Sequence, residues 1–207
     1  MINFLYERYD ANIVFANTLD IDIISTDYGS EKYENGLTKC LVFRGTDIQN
    51  IKEGTSPEAP TRYISPKKLE NKNIIENDIL IEISGGTLKQ STGRTCFITN
   101  DFLQTLCSPS STAGFSRILR CKNRNVAISL YLALTTEYTR GFFFAFENGS
   151  SGIRNLNVKK VLDNLEVKAL NDVQCDELCY YINQAYKLYK KKEKLIKIKQ
   201  QFLEKFF

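Results

Sequence analysis

DILIEISGGTLKQSTGRTCFI (residues 78–98) contains two apolar runs separated by a polar, glycine-rich loop. Apolar and polar residues alternate in ILIEI (79–83), a pattern typical of a β-strand. TCFI (95–98) is a second short strand-like run, and the glycines between the two runs allow the chain to bend sharply. The stretch therefore predicts two strands joined by a structured loop.

Further strand-like runs flank this stretch at CLVF (40–43) and SRILRC (116–121), with turn-rich segments between them. VAISLYLALTTEYTR (126–140) has a helical pattern, and LNVKKVL (156–162) predicts a short helix. We interpret the aromatic run GFFFAF (141–146) as core packing in preference to a base-stacking platform. The predicted fold class is α/β (α+β), a twisted, mixed and mostly antiparallel sheet with long loops and a few helices.

The C-terminal segment predicts one long coiled-coil helix. Neither Pro nor Gly occurs after Gly152, and apolar residues recur from Asp172 onward in steps of three and four. A helix of this length spans about 50 Å, so its apolar stripe extends beyond a small domain and needs a partner. We predict a domain over 1–170 and a dimerisation or docking helix over 171–207. The stripe consists of Leu178, Ile182, Ala185, Tyr189, Ile196 and Leu203.

The composition excludes several classes of protein. The sequence contains no run of about 18 apolar residues, so we expect no transmembrane helix. The N-terminus lacks the pattern of a signal peptide. The six cysteines form no C-x-x-C pair, which favours free thiols in a reducing cytosol over disulfides or a zinc site. We therefore expect a cytoplasmic protein without membrane contact.

Histidine is absent, which removes Ser-His-Asp and Cys-His nucleophiles and H-E-x-x-H zinc sites. The net charge of +4 is uneven, because the segment from Lys187 onward carries a balance of +6. The rest of the chain is slightly acidic, so total charge does not predict attraction of the main body to nucleic acid.

The glycine-rich loop also fails the common nucleotide-binding motifs. A P-loop needs glycine where Leu88 stands and lysine where Arg94 stands, and no G-x-G-x-x-G is present. Acidic-x-Lys tripeptides, a feature of some nucleases, occur only as often as chance predicts. These observations favour a protein that binds without catalysing, and a nucleotide-binding enzyme using loop 84–95 stays an alternative.

A series of short motifs resembles one target-recognition domain plus one helical conserved region of a type I restriction–modification specificity subunit. The resemblance spans about residues 41–207, and each motif is weak when taken alone. The segment VKALNDVQ (167–174) keeps the Gln of that family but lacks its prolines, and the first 40 residues show no clear family start. The motifs are LVFRGTDIQN (41–50), RYISPKKLENKNIIENDILIEISGG (62–86), TGRTCFI (92–98), SRILRCKNRNVAISLYLALTT (116–136) and NGSSGIRNLNVKKVLDNLEV (148–167).

The resemblance implies sequence-specific recognition of double-stranded DNA without catalysis or a cofactor on this chain. In the family, a full subunit holds two recognition domains and two paired helices. It contacts methyltransferase subunits, which bind S-adenosylmethionine, and restriction subunits join the complex. This chain resembles half of such a subunit, so we expect a second copy to supply the pairing helix in an antiparallel homodimer. A truncated half-subunit that only pairs helices is the main alternative.

By the same resemblance, the glycine-rich loop meets DNA phosphate, with Lys89 and Arg94 supplying charge. A tight hairpin without a ligand is the structural alternative. Arg117 and Arg120 stand three apart in one strand and point to opposite faces, so at most one faces DNA. Hydrogen bonding and base contacts are assigned to Thr87, Gln90, Arg44, Arg62, Arg117, Arg120, Arg124 and Arg154.

Overall fold

The computed structural model describes residues 2–25, 28–54, 58–87, 89–149 and 153–206. The helices of these residues are α1 (Ile2–Arg8), α2 (Gly45–Lys52), α3 (Pro66–Lys72), α4 (Asn100–Leu103), α5 (Arg124–Thr139), α6 (Val158–Asn164) and α7 (Asp172–Phe206). The strands are β1 (Ile13–Phe15), β2 (Ile21–Ile24), β3 (Thr38–Phe43), β4 (Thr61–Ile64), β5 (Ile79–Glu82), β6 (Ser84–Gly85), β7 (Thr95–Phe97), β8 (Ser110–Thr112), β9 (Ser116–Cys121), β10 (Glu147–Asn148), β11 (Arg154–Leu156) and β12 (Glu166–Lys168).

The strands form a mixed, mostly antiparallel arrangement, which confirms the predicted fold class. The largest sheet has the order β2-β9-β5-β7, with every neighbouring pair antiparallel. A second sheet, β4-β3-β8, contains a parallel pair between β3 and β8. Two small sheets, β10-β11-β6 and β1-β12, join segments that are distant in the sequence. The predicted single sheet is therefore divided into smaller ones.

The largest sheet is covered on both faces, so its central strand β5 is buried along its whole length. Ile79 and Ile81 pack in one apolar cluster with α5, while Leu80 packs in a second with Phe43 and α2. Glu82, the polar residue in the alternation, is also buried, and it forms an ion pair described below. Strand and helix are thus held by tertiary packing as well as by local sequence pattern.

The aromatic run after α5 packs mainly into the core. Residues Phe142–Phe146 form a 3-10 helix, and Phe143 is fully buried. The Phe143 ring meets Tyr138 edge-on at 5.9 Å between ring centres, and Phe142 lies 4.9 Å from Phe146. The core-packing interpretation is confirmed for Phe143, while Phe144 is partly exposed.

The long C-terminal helix is present as predicted, and its first half is part of the domain core. Cys175, Leu178 and Ile182 belong to the α5 cluster, and Tyr186 packs against Phe102. At the end of α2, a Cβ on Gly54 would lie 2.8 Å from the Tyr186 carbonyl oxygen, so glycine allows this close approach.

Beyond the body, residues 194–206 of α7 are all exposed. The helix thus extends past its own domain with a surface that no other described residue covers. None of the helices in the described parts of the chain has the length and apolar content needed to cross a membrane. The domain limits at 170 and 171 stay a prediction.

Candidate nucleic-acid interface

The glycine-rich loop lies beside the β10–β11 hairpin, because β6 at its start pairs with β11. The Thr87 hydroxyl accepts hydrogen bonds from the backbone N–H groups of Lys89 and Gln90, at 3.2 and 3.1 Å. The Thr87 N–H donates in turn to the Gln90 carbonyl oxygen at 2.7 Å. These bonds form a compact turn whose tip exposes Thr87, Lys89 and Gln90 to solvent.

The second half of the loop is buried and internally bonded. The Thr92 N–H donates to a Glu147 carboxylate oxygen at 2.5 Å. The Tyr138 hydroxyl accepts from the Gln90 amide at 3.1 Å and donates to the Ser91 carbonyl oxygen at 3.3 Å. Gly93 has φ +114°, and a Cβ there would lie 2.2 Å from the Phe143 ring. The Thr92 N–H group, which a phosphate-binding loop would direct at its ligand, is therefore already bonded to the Glu147 carboxylate.

Arg94, a predicted phosphate contact, is paired with Glu82. Its Nε and one terminal nitrogen donate to the two carboxylate oxygens at 2.9 and 2.5 Å. The hydrogen bonds with Glu82 raise the pKa of Arg94 above its usual value. The pair joins the loop to strand β5, which ends at Glu82. The Glu82 side chain is buried, with the residue only 2% exposed. DNA contact by Arg94 stays a prediction that requires this pair to open.

Most of the other candidate arginines also hold carboxylates of the same chain. Arg44 binds both oxygens of Asp47 at 3.0 and 3.1 Å. Arg154 donates to Glu147 at 2.9 Å. Such charge-assisted bonds fix geometry strongly when the carboxylate is buried, as it is here for Asp47 and Glu147. Further ion pairs join Arg62 to Glu31, Arg120 to Asp78 and Arg124 to Asp176.

Arg117 differs from these arginines. Its guanidinium donates to the backbone carbonyl oxygens of Gly114 and Ser116, at 3.0 and 2.8 Å. No carboxylate of the described residues forms an ion pair with it, and burial lowers its pKa below the usual value. Arg120, on the other face of β9, is directed to buried Asp78. Of these two arginines, Arg117 is the one left available for a ligand.

Arg117 borders a groove that sequence reasoning missed. We name it the asparagine groove, after its polar residues Arg117, Asn148, Asn155, Asn157 and Lys159. Its volume is about 370 Å³. The available sequence signal for this groove was the repetition of asparagine at positions 148, 155 and 157. Only the folded hairpin brings these residues beside β9. The apolar lining consists of Ile23, Ile83, Leu156 and Val158.

The predicted stripe on α7 divides into two groups. Leu178 and Ile182 are buried against the body, and Ala185 is half-buried. Tyr189, Ile196 and Leu203 are exposed. A second set of exposed apolar residues follows nearly the same heptad spacing along the helix. This exposed row consists of Val173, Tyr180, Leu188, Leu195 and Phe202.

No protein-family model matches the sequence, and a sequence search of curated proteins also finds no match. Structure comparison does find similar chains. One is the type I restriction–modification S subunit from M. genitalium, with a TM-score of 0.43, 15% identity and coverage of 84% of this chain and 38% of that one. Another belongs to a type I restriction–modification system solved to explain complex assembly and conformational transition, with a TM-score of 0.51 and 16% identity.

The second comparison covers 93% of this chain. The chain therefore shares its fold with that chain of a type I restriction–modification system. It covers 43% of the length of that solved chain, so it spans less than half of the protein it matches.

Proposed function

We propose that this chain is the sequence-specific DNA-recognition component of a type I restriction–modification system, corresponding to half of a specificity subunit. The observation that carries the proposal is the fold similarity to the solved type I restriction–modification chain. This similarity covers 93% of this chain and 43% of the solved one. The local chemistry agrees with it, because Arg117, which forms no ion pair with a described carboxylate, lines a groove with three asparagines, and Lys89 is exposed at the loop tip. Such side chains suit a polyanion whose bases are recognised by hydrogen bonding.

In this proposal, the exposed tip of the glycine-rich loop contacts the DNA backbone. Lys89 supplies charge, and Thr87 and Gln90 supply hydrogen-bonding groups at the same tip. Arg94 and Arg154 do not contact DNA directly in this proposal. They fix the positions of the loop and the hairpin through their ion pairs with Glu82 and Glu147. DNA affinity then depends on them mainly through the shape of the loop.

The partners follow from the proposed role. Methyltransferase subunits carrying S-adenosylmethionine bind this chain, and restriction subunits join through the complex. The chain itself has no cofactor and no catalytic turnover, and it acts in the cytoplasm on double-stranded DNA. Two copies pair through the exposed rows of α7, because residues 194–206 have no covering surface within the described chain.

The alternative of a helix-pairing scaffold is favoured by one observation, the ion pairing of Arg44, Arg94 and Arg154. If these side chains do not leave their carboxylates, few charges remain for DNA. The nucleotide-binding alternative gains no support from loop 84–95, because Arg94 and the Thr92 N–H are occupied internally.

Selection from a library of randomised duplexes tests the proposal. The purified full-length chain is incubated with the library, and bound duplexes are recovered and sequenced over several rounds. Enrichment of one motif is the expected result. A chain that forms dimers but enriches no motif, alone or with a co-expressed methyltransferase subunit, supports the scaffold and contradicts DNA recognition.

A further inference from the structure

Building on the proposed function, we infer that the asparagine groove is the base-recognition surface of the domain. The ligand we assign to it is the major-groove edge of purine bases. Asparagine amides match the adjacent acceptor and donor of adenine, and the guanidinium of arginine matches the two acceptors of guanine. The groove combines these two side-chain types on one exposed surface.

Most polar groups of the groove keep hydrogen-bonding capacity for a ligand. Within the described residues, the side chains of Asn148 and Asn155 have no hydrogen-bond partner, and Lys159 forms no ion pair. No acidic side chain lines the groove. Asn157 is partly used, because its side-chain oxygen accepts from the Lys160 N–H at 3.1 Å. The available set is therefore two complete amides, the Lys159 ammonium group, and the Nε and Nη2 groups of Arg117, whose Nη1 donates to Gly114 and Ser116.

The sheet geometry places the amides in a row. Asn148 pairs directly with Asn155, and Asn155 pairs with Ser84 on the next strand, so the three side chains share one face. Their spacing follows the strand separation of about 5 Å. Strand β9 brings Arg117 to the same groove, where it lines the wall together with Ile83, the residue that follows β5. Polar side chains from distant parts of the sequence thus line one groove together with its apolar residues.

The edge of this small sheet also suits DNA. Strands β10 and β11 form an antiparallel pair at the outer edge of the sheet β10-β11-β6, and the major groove of B-DNA admits a pair of antiparallel strands. Ile153, next to β11, is 66% exposed and offers an apolar contact for a thymine methyl group. Lys89 lies on the loop that follows strand β6, which pairs with β11, and from there it can contact the phosphates beside the bases.

Substitutions separate base recognition from general DNA binding. The variants are Arg117→Ala and the double variant Asn148→Ala with Asn155→Ala. Lys160→Ala is the matched control, because Lys160 is exposed on α6 next to Lys159 but does not line the groove. Fluorescence anisotropy measures the affinity of each full-length protein for the selected duplex and for a scrambled duplex at the same salt concentration. Thermal melting verifies that each variant is folded.

We expect each groove variant to bind the selected duplex about ten-fold or more weakly, with affinity for the scrambled duplex within about two-fold of the unsubstituted chain. The control should retain both affinities. If the unsubstituted chain discriminates between the duplexes and the asparagine double variant does so equally well, the groove assignment is wrong while the proposed function stands. If the unsubstituted chain does not discriminate, both are wrong.

Discussion

At the scale of single residues, ion pairing separates structural arginines from those available to a ligand. When a guanidinium leaves a buried carboxylate, the negative charge of that carboxylate remains buried without a partner, which is costly. Arg94 and Arg120 meet this description, because Glu82 and Asp78 are almost fully buried. Arg117 does not, since its partners are backbone carbonyl oxygens. The type of residue therefore says less about function than the partner it has.

For Arg94→Ala we predict loss of stability. The substitution leaves the Glu82 carboxylate buried without its partner, which costs about 3 kcal/mol, or roughly 10 °C in melting temperature. Arg140→Ala is the control, because Arg140 is exposed and its ion pairs with exposed Glu7 and half-buried Glu137 contribute less than about 1 kcal/mol. An unchanged melting temperature for Arg94→Ala, together with a reduced salt dependence of DNA binding, would instead show that Arg94 contacts phosphate.

For Lys89→Ala the expected effect is on DNA binding alone. Lys89 is exposed at the loop tip and has no ion-pair partner among the described residues, so its removal costs little stability. Affinity for selected and scrambled duplexes should fall equally, and the slope of log affinity against log salt should decrease by about 0.9. Titrations at four or more salt concentrations measure this slope. A slope equal to that of the unsubstituted chain would place Lys89 outside the interface.

Thiol chemistry offers a separate test of the packing. Burial raises the pKa of Cys96 to about 12 and that of Cys40 to about 11, so neither thiol forms the reactive thiolate near neutral pH. Cys107 is exposed. Labelling of the native protein at pH 8 should therefore modify Cys107 first, and Cys107→Ser should remove the fast phase. Fast labelling of Cys96 or Cys40 would contradict the described core.

At the scale of elements, the sequence predicted what local periodicity determines. Strand β9 and the long helix α7 occupy the residues that their patterns indicated. The division into several sheets was not predictable, because strand pairing depends on contacts between distant segments. The same limit applies to the asparagine groove, whose residues 117, 148 and 155 meet only through sheet pairing. The arginine partners were also hidden, since Glu82 looked like the polar face of a strand.

The division of α7 into a buried and an exposed half changes the test for dimerisation. Ile182 lies in the domain core, so Ile182→Asp would disturb folding whatever its effect on pairing. Leu195 and Phe202 are 58% and 64% exposed and belong to the outer row. We predict that Leu195→Asp and Phe202→Asp each convert a dimer to a monomer, because a charge would be buried between helices.

Light scattering measures this change, and circular dichroism verifies that the helix is retained. Gln201→Asp is the matched control, since it adds the same charge beside Phe202 but lies outside the apolar rows. An unsubstituted chain that has the mass of a single copy, 23.7 kDa, at tens of micromolar would contradict pairing by α7 alone.

At the scale of the whole molecule, two copies related by a two-fold axis would hold a recognition domain at each end of the paired helices. Such a dimer should select a symmetric motif in two parts, separated by a spacer of fixed length, because the helices set the distance between the domains. Insertion of one base pair into the spacer should reduce affinity sharply, and competition binding measures the loss. Equal affinity for all spacer lengths would indicate that each domain binds separately.

Sequence-specific DNA recognition is the central claim, and a ratio of affinities tests it most directly. The full-length chain is titrated with its selected duplex and with a scrambled duplex of the same composition, at one physiological salt concentration. We predict that the selected duplex binds at least about 10³-fold more tightly, as is typical of specific DNA-binding proteins. Equal affinities for the two duplexes would contradict the claim.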